Sequence, residues 1–190
     1  MLNITKQSAD FVASISHDGL PESCVRAAKI GFADCVGVMI AGAAEEPVRI
    51  VSAMVPTVLQ NDAAPEIPSG RNLLAPDAAF VNGVAAHVLD YDDVALAGHP
   101  SAVLVPSILA EGWTLDARGR DAIAAYVAGY ELWAQLAALE PGHLHERGFH
   151  PTAVFGALAT AAACARLHGL DVEKTSHAIA IAASLAAGLV

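Results

Sequence analysis

Almost every stretch of this chain that can form regular structure reads as helix, and several of those helices are built from small residues. The run AVFGALATAAACA, Ala153 to Ala165, is the extreme case. It is apolar on nearly every side, so as a helix it must be surrounded by other helices. Its Ala, Gly and Thr side chains let neighbouring backbones approach closely. Strand patterns, with their period of two and β-branched residues, barely occur. These features predict an all-α fold, a multi-helix, bundle-like domain.

Start and stop signals divide the chain. Thr5 is placed to cap a helix through about Ser16, and Pro21 suits the first turn of a second that runs to about Ala41, with Gly42 just beyond. A third is expected from about Glu46 to Leu59. Asn61 to Ala75, with Pro65, Pro68, Gly70 and Asn72, reads as a loop. Pro76 and Asp77 open a helix that reaches Asp90, and further helices are expected at about 101–114, 118–139, 151–168 and 172–188. No repeat, charge block or linker separates these segments. The 190 residues are one all-helical domain or one large piece of one.

Composition narrows the function classes. With 55% apolar and 16% charged residues the chain is not a disordered one. A net charge of −10 offers no basic face to nucleic acid or to an anionic membrane. Mean hydropathy of +0.48 raises the question of a span. The uncharged run from Gly148 to Ala165 contains His150 and Pro151 and is mostly Ala, Thr and Gly, so buried helices are the expectation. Cys24, Cys35 and Cys164 lack C-x-x-C spacing and read as reduced thiols of a cytoplasmic protein. The start, MLNITKQSADFVASIS, lacks the basic region and apolar core of a secretion signal.

Against this apolar background, LDYDDVALAGHPSAVLVP stands out. Asp90, Asp92 and Asp93 are expected at a helix C-terminus, where negative charge opposes the dipole at roughly 0.3–1 kcal/mol per exposed charge. Close carboxylates also repel, so at least one should be harder to ionise. Local stability does not select such a triplet, and its apolar flanks argue against a merely solvated helix end. His99-Pro100-Ser101 and His150-Pro151-Thr152 share one grammar: a histidine, a Pro at the first helical position, then a hydroxyl residue. Each histidine stands at the mouth of a helix N-terminus, where free N–H groups and the dipole favour anions. The same dipole favours a neutral imidazole, able to accept a proton near pH 7.

Other polar residues carry less. His87 can share a helix face with Asp90 as a structural pair. His143, His145, Glu146 and Arg147 form a polar loop, in which Arg147 is a cation within reach of a substrate carboxylate or simply a surface residue. His168 and His177 read as helix-end or surface residues. Trp113, Tyr126, Tyr130 and Trp133 fall at core-like spacing.

HVLDYDDVALAGHPSAVLVPSILA together with GFHPTAVFGALATAAACARLHGLD resembles the MmgE/PrpD family, which includes 2-methylcitrate dehydratase, cis-aconitate decarboxylase and iminodisuccinate epimerase. The likeness runs from the DFVASIS helix to AIAIAASLAAGLV. It implies a helical domain joined to a smaller α+β lid, a homodimer, and a site using no metal or organic cofactor. By motif, Asp90, His99 and His150 match active-site positions. Tyr91, Asp92 and Asp93 complete the signature, with His87 in support, and Tyr91, Ser101, Thr152 and Arg147 stand where substrate binds. The implied reaction is proton abstraction beside a carboxylate of a small di- or tricarboxylate. Val94 and Ala95 depart from the Thr, commonly followed by His, that family members carry there. The resemblance puts the family lysine and the lid beyond Val190, so the 190 residues alone are expected to be weakly active or inactive. Two alternatives stay open: a helical remnant or subunit that pairs without catalysis, and a Mg²⁺-dependent isoprenoid-diphosphate enzyme suggested by the aspartate-rich run.

Overall fold

The computed structural model describes residues 4–59, 63–67, 69–140 and 142–189. Among them are nine α-helices: α1 (Ile4–Ser14), α2 (Glu22–Gly42), α3 (Glu46–Met54), α4 (Ala75–His87), α5 (Pro100–Thr114), α6 (Gly119–Leu139), α7 (His143–Glu146), α8 (Pro151–Leu167) and α9 (Val172–Leu185). A minimal antiparallel pair, β1 (Ala64–Pro65) and β2 (Asn72–Leu73), joins α3 to α4. The fold is all-α, as the small-residue helices require.

Pro marks five of the helix starts: it is the residue before α2 and lies in the first turn of α3, α4, α5 and α8. There it costs no hydrogen bond and presets φ. Three helices stop at least three residues earlier than their patterns suggest, the last of them at Leu185 instead of about 188. Helix α3 ends at Met54 instead of Leu59, and α4 ends at His87, three residues short of Asp90. The acidic triplet therefore lies in the connection to α5, not on a helix end. The polar segment at 143–147 contains the single helical turn α7, with Arg147 as its C-cap.

The core lies between α2, α4, α5, α6 and α8, where Met39, Leu104, Ile108 and Trp133 are fully buried. A smaller cluster joins α1 and α9 to it through Val12, Leu132 and Ile179. Close approach is literal at Gly129 in α6. A methyl there would stand 2.5 Å from Leu104 Cδ2 and 2.7 Å from the carbonyl oxygen of Ala159. Packing this dense leaves no room for even one added carbon without displacement. α6 is long and apolar enough to span a membrane by length and composition, and here Ala124, Ala125, Ala128, Leu132 and Trp133 bury one side of it. Trp133 is core, whereas Trp113, expected to pack, is exposed near the end of α5.

The expected loop over 61–75 holds a buried polar knot. Glu66 is 2% exposed; its carboxylate accepts from Arg71 Nε at 2.7 Å and Ser52 Oγ at 2.8 Å, and Arg71 also donates to the Ser52 carbonyl at 2.7 Å. Buried Asn82 of α4 ties the hairpin down, accepting from Ile67 N–H at 2.9 Å and donating to the Pro65 carbonyl at 3.1 Å. Asn61 and Pro68 lie outside the described residues.

Candidate functional site

The connection from α4 to α5, residues 88–99, carries three non-glycine residues with positive φ: Asp90 at 53°, Leu96 at 52° and Ala97 at 64°. Tertiary bonds hold it there. Trp133 Nε1 donates to the Leu96 carbonyl at 3.1 Å, and Ala95 and Gly98 exchange backbone bonds at 2.9 and 3.0 Å. Gly98 is required by its neighbours, since a Cβ would stand 2.8 Å from Trp133 Cζ2 and 2.9 Å from Thr152 Oγ1.

The three aspartates do different things. Asp92 is the hub. Its side chain has no exposed surface, and its Oδ1 lies 3.0 Å from His87 Nδ1 in a hydrogen bond. Its Oδ2 lies 3.2 Å from His99 Nδ1, close enough for ion pairing but off the line of a hydrogen bond, so both atoms are buried without a hydrogen-bond partner. Burial alone would raise the Asp92 carboxyl, but the hydrogen bond and charge of His87 outweigh it and hold the group below the usual carboxylate range. Asp90 is largely exposed and stands 3.8 Å from His99 Nε2. Asp93 caps α5 from eight residues upstream, its Oδ1 accepting from Ser101 N–H at 3.0 Å. Burial raises Asp93 against the bonds from Ser101.

Three histidine rings gather around this hub. His87 and His99 have centroids 4.5 Å apart, and His87 and His150 are 6.2 Å apart. The hydrogen bond to Asp92 raises His87, with burial working against it. Burial lowers His150, reinforced by His87 and His99. His99 and His150 are the N-caps of α5 and α8, so both helix mouths open on the cluster. The two helix mouths are also stitched together: His99 N–H donates to Thr152 Oγ1 at 3.1 Å, across 53 positions.

The structure therefore brings Asp90, His99 and His150 together and adds His87 and Asp92 at the centre, where the motif pattern assigns both only supporting parts. His87 pairs with Asp92 and not, as its helical spacing suggests, with Asp90. The link crosses the end of α4, so no helical periodicity announces it. Ser101 is buried and its hydroxyl is 2.7 Å from Tyr126 OH, which turns it into the core instead of towards substrate. Tyr91 is exposed. Arg147 is exposed too, and no hydrogen bond or ion pair ties it to the cluster among the described residues. His168 bonds Glu111 at 2.6 Å on the far end of α5. A groove of about 640 Å³ runs between α4, α5, α8 and α9, with Phe80, Val103 and Ala157 on its walls and His87 and Thr152 also lining it.

Two helix mouths thus converge on an Asp/His cluster in an all-α scaffold. Residues 6–190 match the model of the MmgE/PrpD N-terminal domain, and the chain belongs to that family. It is 31% identical to the cis-aconitate decarboxylase of Mus musculus over 96% of this chain and 39% of the relative. Identity is 32% to the enzyme of that name from Homo sapiens over the same shares, and 25% to one from Aspergillus terreus over 98% and 40%. The chain thus spans about two fifths of the length of these relatives.

Proposed function

We propose that this chain supplies the proton-transfer part of an MmgE/PrpD-type lyase or isomerase acting on a small di- or tricarboxylate. The observation that carries the reading is His99 held between Asp92 and Asp90, with His87 and His150 around it at two converging helix N-termini. A neutral imidazole beside a substrate carboxylate removes a proton from the adjacent carbon, and the imidazolium so formed delivers one. N–H groups at the helix mouths favour the charge that develops on the carboxylate oxygens. The hydrogen bond to buried Asp92 favours the protonated form of His87, which offsets part of the acidic triplet's charge. Thr152 lies at the same helix mouths, and exposed Tyr91 and Arg147 are the further substrate contacts of this reading. Val94 and Ala95 remove polar contacts from the site, which favours a substrate with a less polar part there.

The names of the relatives point to cis-aconitate, and the shared chemistry of the family extends to 2-methylcitrate dehydration. Neither requires a metal or an organic cofactor in this reading. The reading extends to a cytoplasmic enzyme that works as a homodimer. The 190-residue chain alone gives no turnover of 2-methylcitrate, citrate or iminodisuccinate.

The test is a titration of the chain with cis-aconitate, followed through the imidazole proton resonances. His99 and His150 signals shift together and saturably. Signals that stay in place at millimolar ligand refute the shared site. In a chain extended through its lid, His150→Ala abolishes turnover while leaving the melting temperature nearly unchanged; an equal loss of both makes His150 structural.

A further inference from the structure

We propose that His87, Asp90, Asp92 and His99 form a binding site for a divalent transition-metal ion of the zinc class, and that the ion inhibits the site. One ligand atom from each of the four lies within 4.8 Å of the others. A tetrahedral centre with bonds of about 2.0–2.1 Å separates its ligands by about 3.4 Å. The Asp92 carboxylate presents one oxygen to each imidazole at separations of that order, Oδ1 at 3.0 Å from His87 Nδ1 and Oδ2 at 3.2 Å from His99 Nδ1. Asp90 now stands 3.8 Å from His99 Nε2, the ring nitrogen that faces away from Asp92, and joins the centre by swinging its largely exposed side chain towards the Nδ1 side.

An independent observation points to a ligand. Asp92 Oδ2 and His99 Nδ1 are buried and face each other at 3.2 Å, and neither has a hydrogen bond among the described residues. Buried polar atoms are almost always paired, because leaving them unpaired costs on the order of 1–3 kcal/mol. A cation among these lone pairs satisfies both at once. Among the described residues the ion pairs of Asp90 and Asp92 all run to histidine. Two imidazoles with two carboxylates suit zinc, cobalt or nickel, whereas magnesium prefers an all-oxygen shell. The donor set thus also argues against the diphosphate-enzyme alternative.

Metal binding stands on the donor set alone. Inhibition rests on the proton-transfer reading, because an ion held by His99 removes that imidazole from acid–base work. The ion is then an antagonist, and a chelator does not lower the activity.

The test needs no turnover. Metal-free chain is titrated calorimetrically with zinc chloride, and separately with cobalt chloride while visible spectra are recorded. One equivalent binds saturably, and cobalt gives the intense bands of a tetrahedral centre. His87→Gln and Asp90→Asn each weaken binding at least about tenfold, while His143→Gln, at an exposed His–Glu pair elsewhere, leaves it unchanged. Circular dichroism confirms that each variant is folded; Asp90 is exposed, so its variant is the safer of the two. Absent binding, or undiminished affinity in either site variant, overturns the proposal. That failure leaves the proton-transfer reading intact, since the cis-aconitate titration tests it separately.

Discussion

Thr152→Val isolates the one side-chain bond that joins the N-termini of α5 and α8. The substitution keeps volume and shape but removes the oxygen that accepts from His99 N–H at 3.1 Å. Thr152 is 6% exposed and Pro100, next in the chain to His99, is buried, so water replaces the lost acceptor poorly. A neutral hydrogen bond is worth about 1 kcal/mol net, but a buried donor left without a partner costs about 1–3 kcal/mol. For a domain of this size 1 kcal/mol moves the melting temperature by about 2–4 °C, so the variant should melt about 2–12 °C lower. Thr160→Val, two turns further along α8, makes the same chemical change where the hydroxyl has no such partner, and it should stay within about 0.5 kcal/mol of the parent. Thermal unfolding followed by circular dichroism, with urea titration as a check, reads both. If Thr152→Val costs no more than Thr160→Val, this bond does not hold the two helix mouths together. The spacing of His99 and His150 then rests on backbone packing alone.

Two further outcomes follow from other parts of the fold. Burial tends to raise Glu66, but its bonds from Arg71, Ser52 and Ser69 prevail and depress it below the usual carboxylate value. A depressed folded-state value means that its stabilisation is present above the unfolded value and is lost as pH falls through the folded one. Glu66→Gln should therefore destabilise the chain at neutral pH, by an amount approaching about 3 kcal/mol for a broken buried pair. The gap to the parent should close in urea titrations below about pH 4, and a gap that is constant with pH disproves the role. The apolar groove, together with exposed Ile30, Ile40 and Met54, favours self-association. Sedimentation should find a homodimer or larger species, and a compact monomer at micromolar concentration contradicts that.

The parts of this architecture that are local were legible in the sequence. Pro21, Pro76, Pro100 and Pro151 mark helix starts because a fixed φ and a missing N–H suit that position, whatever packs around it. The all-round apolar helices required an all-helical fold for the same kind of reason. What escaped depends on residues far apart in the chain. Glu66 and Arg71 form a buried pair only because Ser52, on α3, is folded against them. Ser101 follows a motif histidine and reads as available to substrate, but Tyr126, on another helix, stands 2.7 Å from it. Trp113 and Trp133 have equal apolar weight in sequence, and only the position of α5 relative to α6 and α8 decides which is covered. The site shows the same division: its motif histidines are announced by their Pro, but the hub at Asp92 is a tertiary fact.

The strain in the connecting loop shows what that hub demands. Of the four non-glycine residues with positive φ among the described ones, three lie between α4 and α5. Asp tolerates this conformation, since its side chain bonds locally, but Leu96 and Ala97 gain nothing from it. Such backbones cost of order 1 kcal/mol or more each and persist only where the surroundings over-determine them. Here Trp133 fixes Leu96, Thr152 fixes His99 and Asp93 fixes the first turn of α5. A loop selected for stability alone would place Gly or Asn at those positions. The strain turns the chain so that Asp90 and Asp92 meet His99 from two sides, at 3.8 and 3.2 Å. It also sets carboxylates against the positive mouths of α5 and α8, where the dipoles offset part of their mutual repulsion. The acidic triplet is costly as a local sequence and becomes tolerable only when those two helix ends converge on it, so the fold and the site are specified by the same contacts.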